Sequence, residues 1–167
     1  MTPIDLVLTP LGLRYRGRRF PVTIGRNGLT ANKHEGDSAT PIGLHTITGM
    51  MFRPDRIAAK TLPRWAVPIG PRDLWCDAPD HLAYNRLVRA PFNASAEQMR
   101  RADPLYDLVL ITDWNSPNPV PYGGSAIFLH QMRRPGYPTA GCIGFHRAHL
   151  LWIAQRLHPG ARLIVRA

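Results

Sequence analysis

The sequence predicts one domain, mostly β with one or two helices. Two continuous apolar runs, "YDLVLIT" (106–112) and "SAIFLH" (125–130), are bounded by turn residues, the pattern of strands buried on both faces. A single strong helical period, in "AHLLWIAQRL" (148–157), puts Leu150, Ile153, Ala154 and Leu157 on one side, with Pro159-Gly160 as the stop. Neither an internal repeat nor a shift in composition divides the 167 residues. A domain of that length buries roughly 70% of the surface its unfolded chain exposes, so it needs no disulfide staples.

Taken in order, "IDLVLT" (4–9) and "LRYRGRRFPVTIG" (13–25) read as strands separated by a turn. In the second, Leu13, Tyr15 and Gly17 alternate with Arg14, Arg16 and Arg18, the period of a half-wet strand. After the turn-rich "HEGDSATPIG", "GLHTITGMMF" (43–52) is a further strand. Prolines are frequent over 53–94, and "WCDAPDHLAYN" has no clear period. With its aromatic residues this stretch reads as an ordered capping insertion rather than a disordered linker. "SAEQMRR" (95–101) opens with a capping-box pattern, Ser95 and Gln98, and predicts a short helix. "CIGF" (142–145) is a short apolar run, and "ARLIVR" (161–166) is a last strand.

The formal net charge is +10 and the isoelectric point near 10.8, almost all from arginine, since Lys33 and Lys60 are the only lysines. Such a balance suits a polyanion, either nucleic acid or a carboxylate-rich polymer such as peptidoglycan. The arginines come in small groups rather than one long block, as solvated faces do. No stretch is apolar for long enough to span a membrane. The N-terminus lacks the basic head and apolar run of a secretory signal, which leaves the cell envelope and the cytoplasm both open. Two cysteines, Cys76 and Cys142, are too few for a disulfide scaffold but enough for one bridge.

His130 ends an apolar strand, and Cys142 follows twelve residues later in the turn "TAGC". A loop of that length brings two strand ends side by side. A histidine that accepts the thiol proton makes a cysteine a usable nucleophile. The pairing predicts His130 within hydrogen-bond reach of the sulfur, directly or through one water. Gly141 tolerates left-handed backbone, so the N–H groups of Ala140, Gly141 and Cys142 can converge on an oxyanion. His146 and His149 stand three apart with no further ligand at metal spacing, so a surface helix is expected and no metal site.

The run "LHQMRRPGYPTAGCIGF" resembles the catalytic segment of the L,D-transpeptidases, the YkuD-type domains. "SATPIGLHTI" (38–47) resembles that family's Thr-Pro-x-Gly strand. "GSAIFLH" and "WCDAPDHLAYN" resemble a compact branch with a short His-to-Cys spacing. The resemblance implies a mixed β-sandwich or barrel-like fold over 1–167, with Cys142 as nucleophile, His130 as its base and the Gln131 carbonyl orienting the imidazole. It also implies oxyanion donors at Ala140 and Gly141, and substrate contacts from Thr139, Tyr137, Arg133 and Arg134. Two places depart from the family pattern: Gly144 stands where arginine or asparagine is common, and Ala140 where histidine is common.

The implied activity is acyl transfer between peptidoglycan stem peptides, forming 3–3 or 1–3 cross-links at the cell envelope, in an enzyme that carbapenems acylate. Neither a cofactor nor a nucleic-acid partner is expected. Two rivals remain: an L,D-carboxypeptidase in which water replaces the acceptor amine, and a basic module that binds without catalysis.

Overall fold

The computed structural model describes residues 2–167. From the N-terminus come β1 (Leu6–Thr9), β2 (Gly12–Tyr15), β3 (Arg18–Phe20), β4 (Val22–Thr23), β5 (Leu29–Thr30), β6 (Thr40–Pro41) and β7 (Gly43–Phe52). A 3-10 turn at Ala59–Thr61 precedes β8 (Val67–Pro68), β9 (Asp73–Cys76), β10 (Leu87–Arg89) and β11 (Ala96–Gln98). β12 (Leu108–Thr112), β13 (Phe128–Gln131), β14 (Ile143–Phe145), α1 (Arg147–Ala154) and β15 (Arg162–Val165) complete the chain.

One mixed sheet dominates, in the order β3-β2-β1-β15-β7-β12-β13-β14-β4, with β8 added beside β7. Its two terminal strands, β3 and β4, are separated in sequence by Pro21 alone. The sheet therefore curls into a nearly closed barrel, and its seam is a covalent step rather than a hydrogen-bonded ladder. Proline suits that step, because it has no N–H to leave unpaired and its φ is fixed.

The central strands are buried on both faces, which explains their unbroken apolar runs. Leu108 and Leu110 of β12, Leu129 of β13, and Met50 and Phe52 of β7 point into the cluster that holds Leu150, Ile153 and Ala154 of α1. Val109, Phe128 and Met51 point the other way, into a second cluster with Trp75, Met99, Tyr106 and Cys142. The cysteine therefore belongs to the face that α1 does not cover.

Ile69, Trp75, Met99 and Tyr106 cover that second face, whereas Ile57 and Leu62, earlier in the proline-rich stretch, pack into the first cluster. β9 lies between β10 and β11 in a separate three-stranded sheet, and the Trp75 ring meets Phe128 edge-on with centroids 4.9 Å apart. Cys76 is fully buried here and unbridged, like Cys142.

Three expectations need correction. Residues 96–98 form a strand, not a helix: Ala96, Glu97 and Gln98 pair antiparallel with Cys76, Trp75 and Leu74. The capping box is a local signal worth about 1 kcal/mol. The ladder and the complete burial of Met99 outweigh it. The alternation read through Arg18 breaks at a two-residue turn, Arg16 (φ 47°) and Gly17 (φ 73°). Two positive φ values in succession suit the hairpin turn that matches strand twist. The helix ends at Ala154, ahead of its expected stop, although Leu157 is still buried.

Trp75→Ala should lower stability by about 3 kcal/mol, because it empties the contact between the two layers. Leu82→Ser, at a site 97% exposed, should stay within about 0.5 kcal/mol. Denaturant unfolding of both variants measures the difference.

Candidate active site

β13 and β14 run parallel, with Leu129 beside Ile143 and His130 beside Gly144. Alternation puts Phe128 and His130 on the face that Cys142 shares. His130 and Cys142 both line an open cleft of about 430 Å³. His130 is 5% exposed and Cys142 9%, so only the edges of the two side chains reach solvent.

The imidazole is held in one tautomer. The Gln131 carbonyl lies 2.8 Å from His130 Nδ1, and a carbonyl only accepts, so Nδ1 carries the hydrogen. Nε2 is left with its lone pair. The thiol does not bond to that imidazole directly. It donates instead to the Ala126 carbonyl at 3.0 Å, and the Phe128 N–H donates to the sulfur at 3.4 Å. Register is the reason: His130 sits level with Gly144, two residues beyond Cys142.

Ala126 is itself held under strain, at φ 51°, a conformation that costs a non-glycine residue about 1–3 kcal/mol. Its N–H donates to Asn85 Oδ1 at 3.0 Å, and the same oxygen accepts from Trp75 Nε1 at 3.0 Å. Asn85 Nδ2 donates to the carbonyls of Trp114 and Asn115. A buried amide from the 53–94 segment thus aims the carbonyl that receives the thiol. Sequence reasoning passed over Asn85, and its only trace there is a polar residue beside Tyr84.

The turn before the cysteine is fastened on several sides. Gly141 has φ 137°, and a Cβ there would lie 2.9 Å from the Ala39 carbonyl oxygen. Both conditions demand glycine. Thr139 Oγ1 donates to the Cys142 carbonyl at 2.6 Å and accepts from the Gly141 N–H at 3.1 Å. The expected substrate contact of Thr139 and the expected oxyanion donor at Gly141 are therefore engaged with each other in this structure. The N–H groups of Ala140 and Cys142 have no side-chain acceptor among the described residues. Thr40 Oγ1 donates to the Gly141 carbonyl at 2.8 Å and accepts from the Gly25 N–H at 2.9 Å.

Charge is divided around the cleft. Arg26, Arg101 and Arg133 line it, and so do Glu35, Asp77 and Glu97. Glu97 accepts from Tyr106 Oη at 2.6 Å, and Glu35 accepts from Tyr84 Oη. One oxygen of Asp77 is buried without a partner among the described residues. Tyr137 lines the cleft, with the Arg133 and Arg134 guanidinium groups over its ring at 5.3 and 4.9 Å. Arg134 does not itself reach the cleft wall.

Burial governs the ionisation of the pair. It pushes the Cys142 thiol up to about 12, against the Phe128 N–H bond and the Lys33 charge, which lower it. Burial also pulls His130 down to about 4, despite its bond to the Gln131 carbonyl. At neutral pH both groups are therefore uncharged.

The L,D-transpeptidase (YkuD) catalytic-domain model matches residues 13–165. The chain belongs to that family. No curated protein matches it. Among solved structures, an L,D-transpeptidase from Mycobacterium smegmatis is similar at 13% identity and a TM-score of 0.46. The match covers 98% of this chain and 57% of that one, so the chain spans a little over half the length of that structure.

At Gly144, where the resemblance implies arginine or asparagine, this L,D-transpeptidase domain leaves no room for a side chain. A Cβ at that position would lie 2.5 Å from Thr23 Oγ1 and 3.1 Å from the Met132 Cβ. β4 packs against β14 so closely that a long polar side chain has no room.

His130 makes stability depend on acid. Between its ordinary value of 6.5 and about 4, the unfolded chain takes up a proton and the folded chain does not. Stability therefore falls as pH drops through that window. His130→Gln should flatten that part of the profile, as measured by urea unfolding at pH 7, 5.5 and 4.5.

Proposed function

We propose that the chain is a cysteine transpeptidase acting on peptidoglycan stem peptides at the cell envelope. The observation that carries this is a thiol and a tautomer-locked imidazole lining one cleft. In the first step the Cys142 thiol exchanges the Ala126 carbonyl for Nε2 of His130, which takes its proton. The sulfur attacks the donor carbonyl, and the N–H groups of Ala140 and Cys142 stabilise the oxyanion. Collapse breaks the amide bond. The leaving amine receives the proton from His130, and a thioester remains.

In the second step an amine of a neighbouring stem attacks the thioester and gives its proton to Nε2. The thiolate leaves and is reprotonated by His130. Links of the 3–3 or 1–3 type follow from which stem residue supplies the donor carbonyl. The divided charge of the cleft suits such substrates, which carry both carboxylates and amines. Residues 53–94 act as a capping insertion, and Asp77 is its contribution to the wall that the acceptor passes.

Neutral reactants fit this sequence, since the thiolate is needed only as the carbonyl arrives. General-base transfer within the complex supplies it then.

Incubation with purified disaccharide-tetrapeptides, followed by mass analysis, tests the proposal. Cross-linked dimers are expected. Tripeptides without dimers would mean a hydrolase, and no change would mean a binding module. Cys142→Ala should lower the rate by about a thousandfold or more while the fold persists. Cys76→Ser should retain most of the activity. A carbapenem should add once to the wild-type protein and not to Cys142→Ala, as read by intact mass.

A further inference from the structure

Lys33 is a buried cation that the steps above leave without a task. Its side chain is 3% exposed and pairs with Asp37, itself 12% exposed. Nζ also donates to the His34 carbonyl at 3.2 Å. Asp37 accepts the N–H groups of His34 and Ala39, each at 2.9 Å. The loop from 33 to 39 is thus wrapped around one ion pair.

The ammonium lies against the nucleophile turn. A Cβ on Gly141 would stand 3.4 Å from Lys33 Nζ, and one on Gly124 would stand 3.1 Å from Lys33 Cε. Gly124 and Gly141 both have positive φ, 91° and 137°, so backbone without side chains closes on the lysine from two sides. Holding an ion pair largely out of solvent costs desolvation, and hydrophobic residues of similar size often serve stability as well or better. A role beyond stability fits that cost.

Several groups face the Cys142 sulfur. Burial first, then Glu97 from β11, pushes the thiol up; burial first, then Cys142 and Glu97, does the same to Tyr106, which bonds to Glu97. His130, from β13, is uncharged at neutral pH. Among the described residues Lys33 is the cation that favours the thiolate.

We propose that Lys33 is a positioning residue, which buttresses the Thr139–Cys142 turn and supplies the fixed positive charge against which the thiolate forms. It neither gives nor takes a proton. The proton passes from Cys142 to His130, and Lys33 favours the state in which it has left. Asp37 holds the ammonium in place and tempers its charge.

This rests on Cys142 being the nucleophile, but its test needs no peptidoglycan and is read apart from cross-linking. In a Cys76→Ser background, iodoacetamide alkylation of Cys142 is followed by intact mass between pH 6 and 9. Below the thiol pKa the rate tracks the thiolate fraction, tenfold per pH unit. Lys33→Met should slow alkylation about tenfold at every pH, and Lys33→Arg should restore it to within about threefold. A purely structural lysine predicts the opposite, because a loosened turn exposes the sulfur and speeds its reaction. A folded Lys33→Met protein that reacts as fast as its parent, or faster, overturns the proposal. Should Lys33→Met fail to fold, Lys33→Gln carries the test, since it keeps a donor on the loop without the charge. Alkylation should again slow about tenfold, and an equal or faster rate in folded Lys33→Gln overturns the proposal as well.

Discussion

Thr40 Oγ1 accepts from the Gly25 N–H and donates to the Gly141 carbonyl, so one buried hydroxyl joins three distant stretches of chain. The Gly25 stretch continues from β4 at the barrel seam. The Gly141 stretch holds the cysteine. Between them the Thr40 backbone N–H reaches the Gly28 carbonyl at 2.8 Å, which closes the loop beside it. Were the hydroxyl lost, two buried backbone groups would be left unpaired, each at a cost of about 1–3 kcal/mol. The closeness that forbids a Cβ at Gly141 follows from the same junction.

What the sequence disclosed was the frame. The strand over 43–52 and the central strands near 106–112 and 125–130 appear close to where the sequence puts them, because short runs bounded by turn residues leave too little length for a buried helix. His130 and Cys142 were legible from the ends of such runs. Residues 95–101 were not, since a capping box is local and the partner that overrules it, β9, lies twenty residues upstream. Arg16-Gly17 hid its turn because the alternation continued on both sides. The cleft and its supports were the least legible part: Glu97 and Tyr106 of the wall, and Asn85 and Lys33 behind it, are brought to their places only by packing. Lys33 did carry one faint signal, as one of two lysines among many arginines.

Around Cys142 burial keeps two ionisable groups away from their charged forms. A thiol pushed up to about 12 and an imidazole pulled down to about 4 form a largely buried, uncharged pair. Such a pair withstands stray alkylation and oxidation, which both require thiolate. Its counterpart is the strained carbonyl at Ala126, held by Asn85. The carbonyl gives the thiol its hydrogen-bond acceptor. Packing from the 53–94 segment therefore reaches the sulfur through two hydrogen bonds in series.

The Pro21 seam bears on how the protein behaves in a crowd. Open sheet edges are templates on which a second chain can add a strand, and proteins blunt them with charge, brevity and proline. Here the terminal strands are three and two residues long. β3 displays Arg18 and Arg19 to solvent, and proline occupies the step between the edges. A neighbouring molecule that approached the barrel with its own backbone would find little ladder to extend and like charge to repel it. The closure that shapes the barrel thus also protects its solubility.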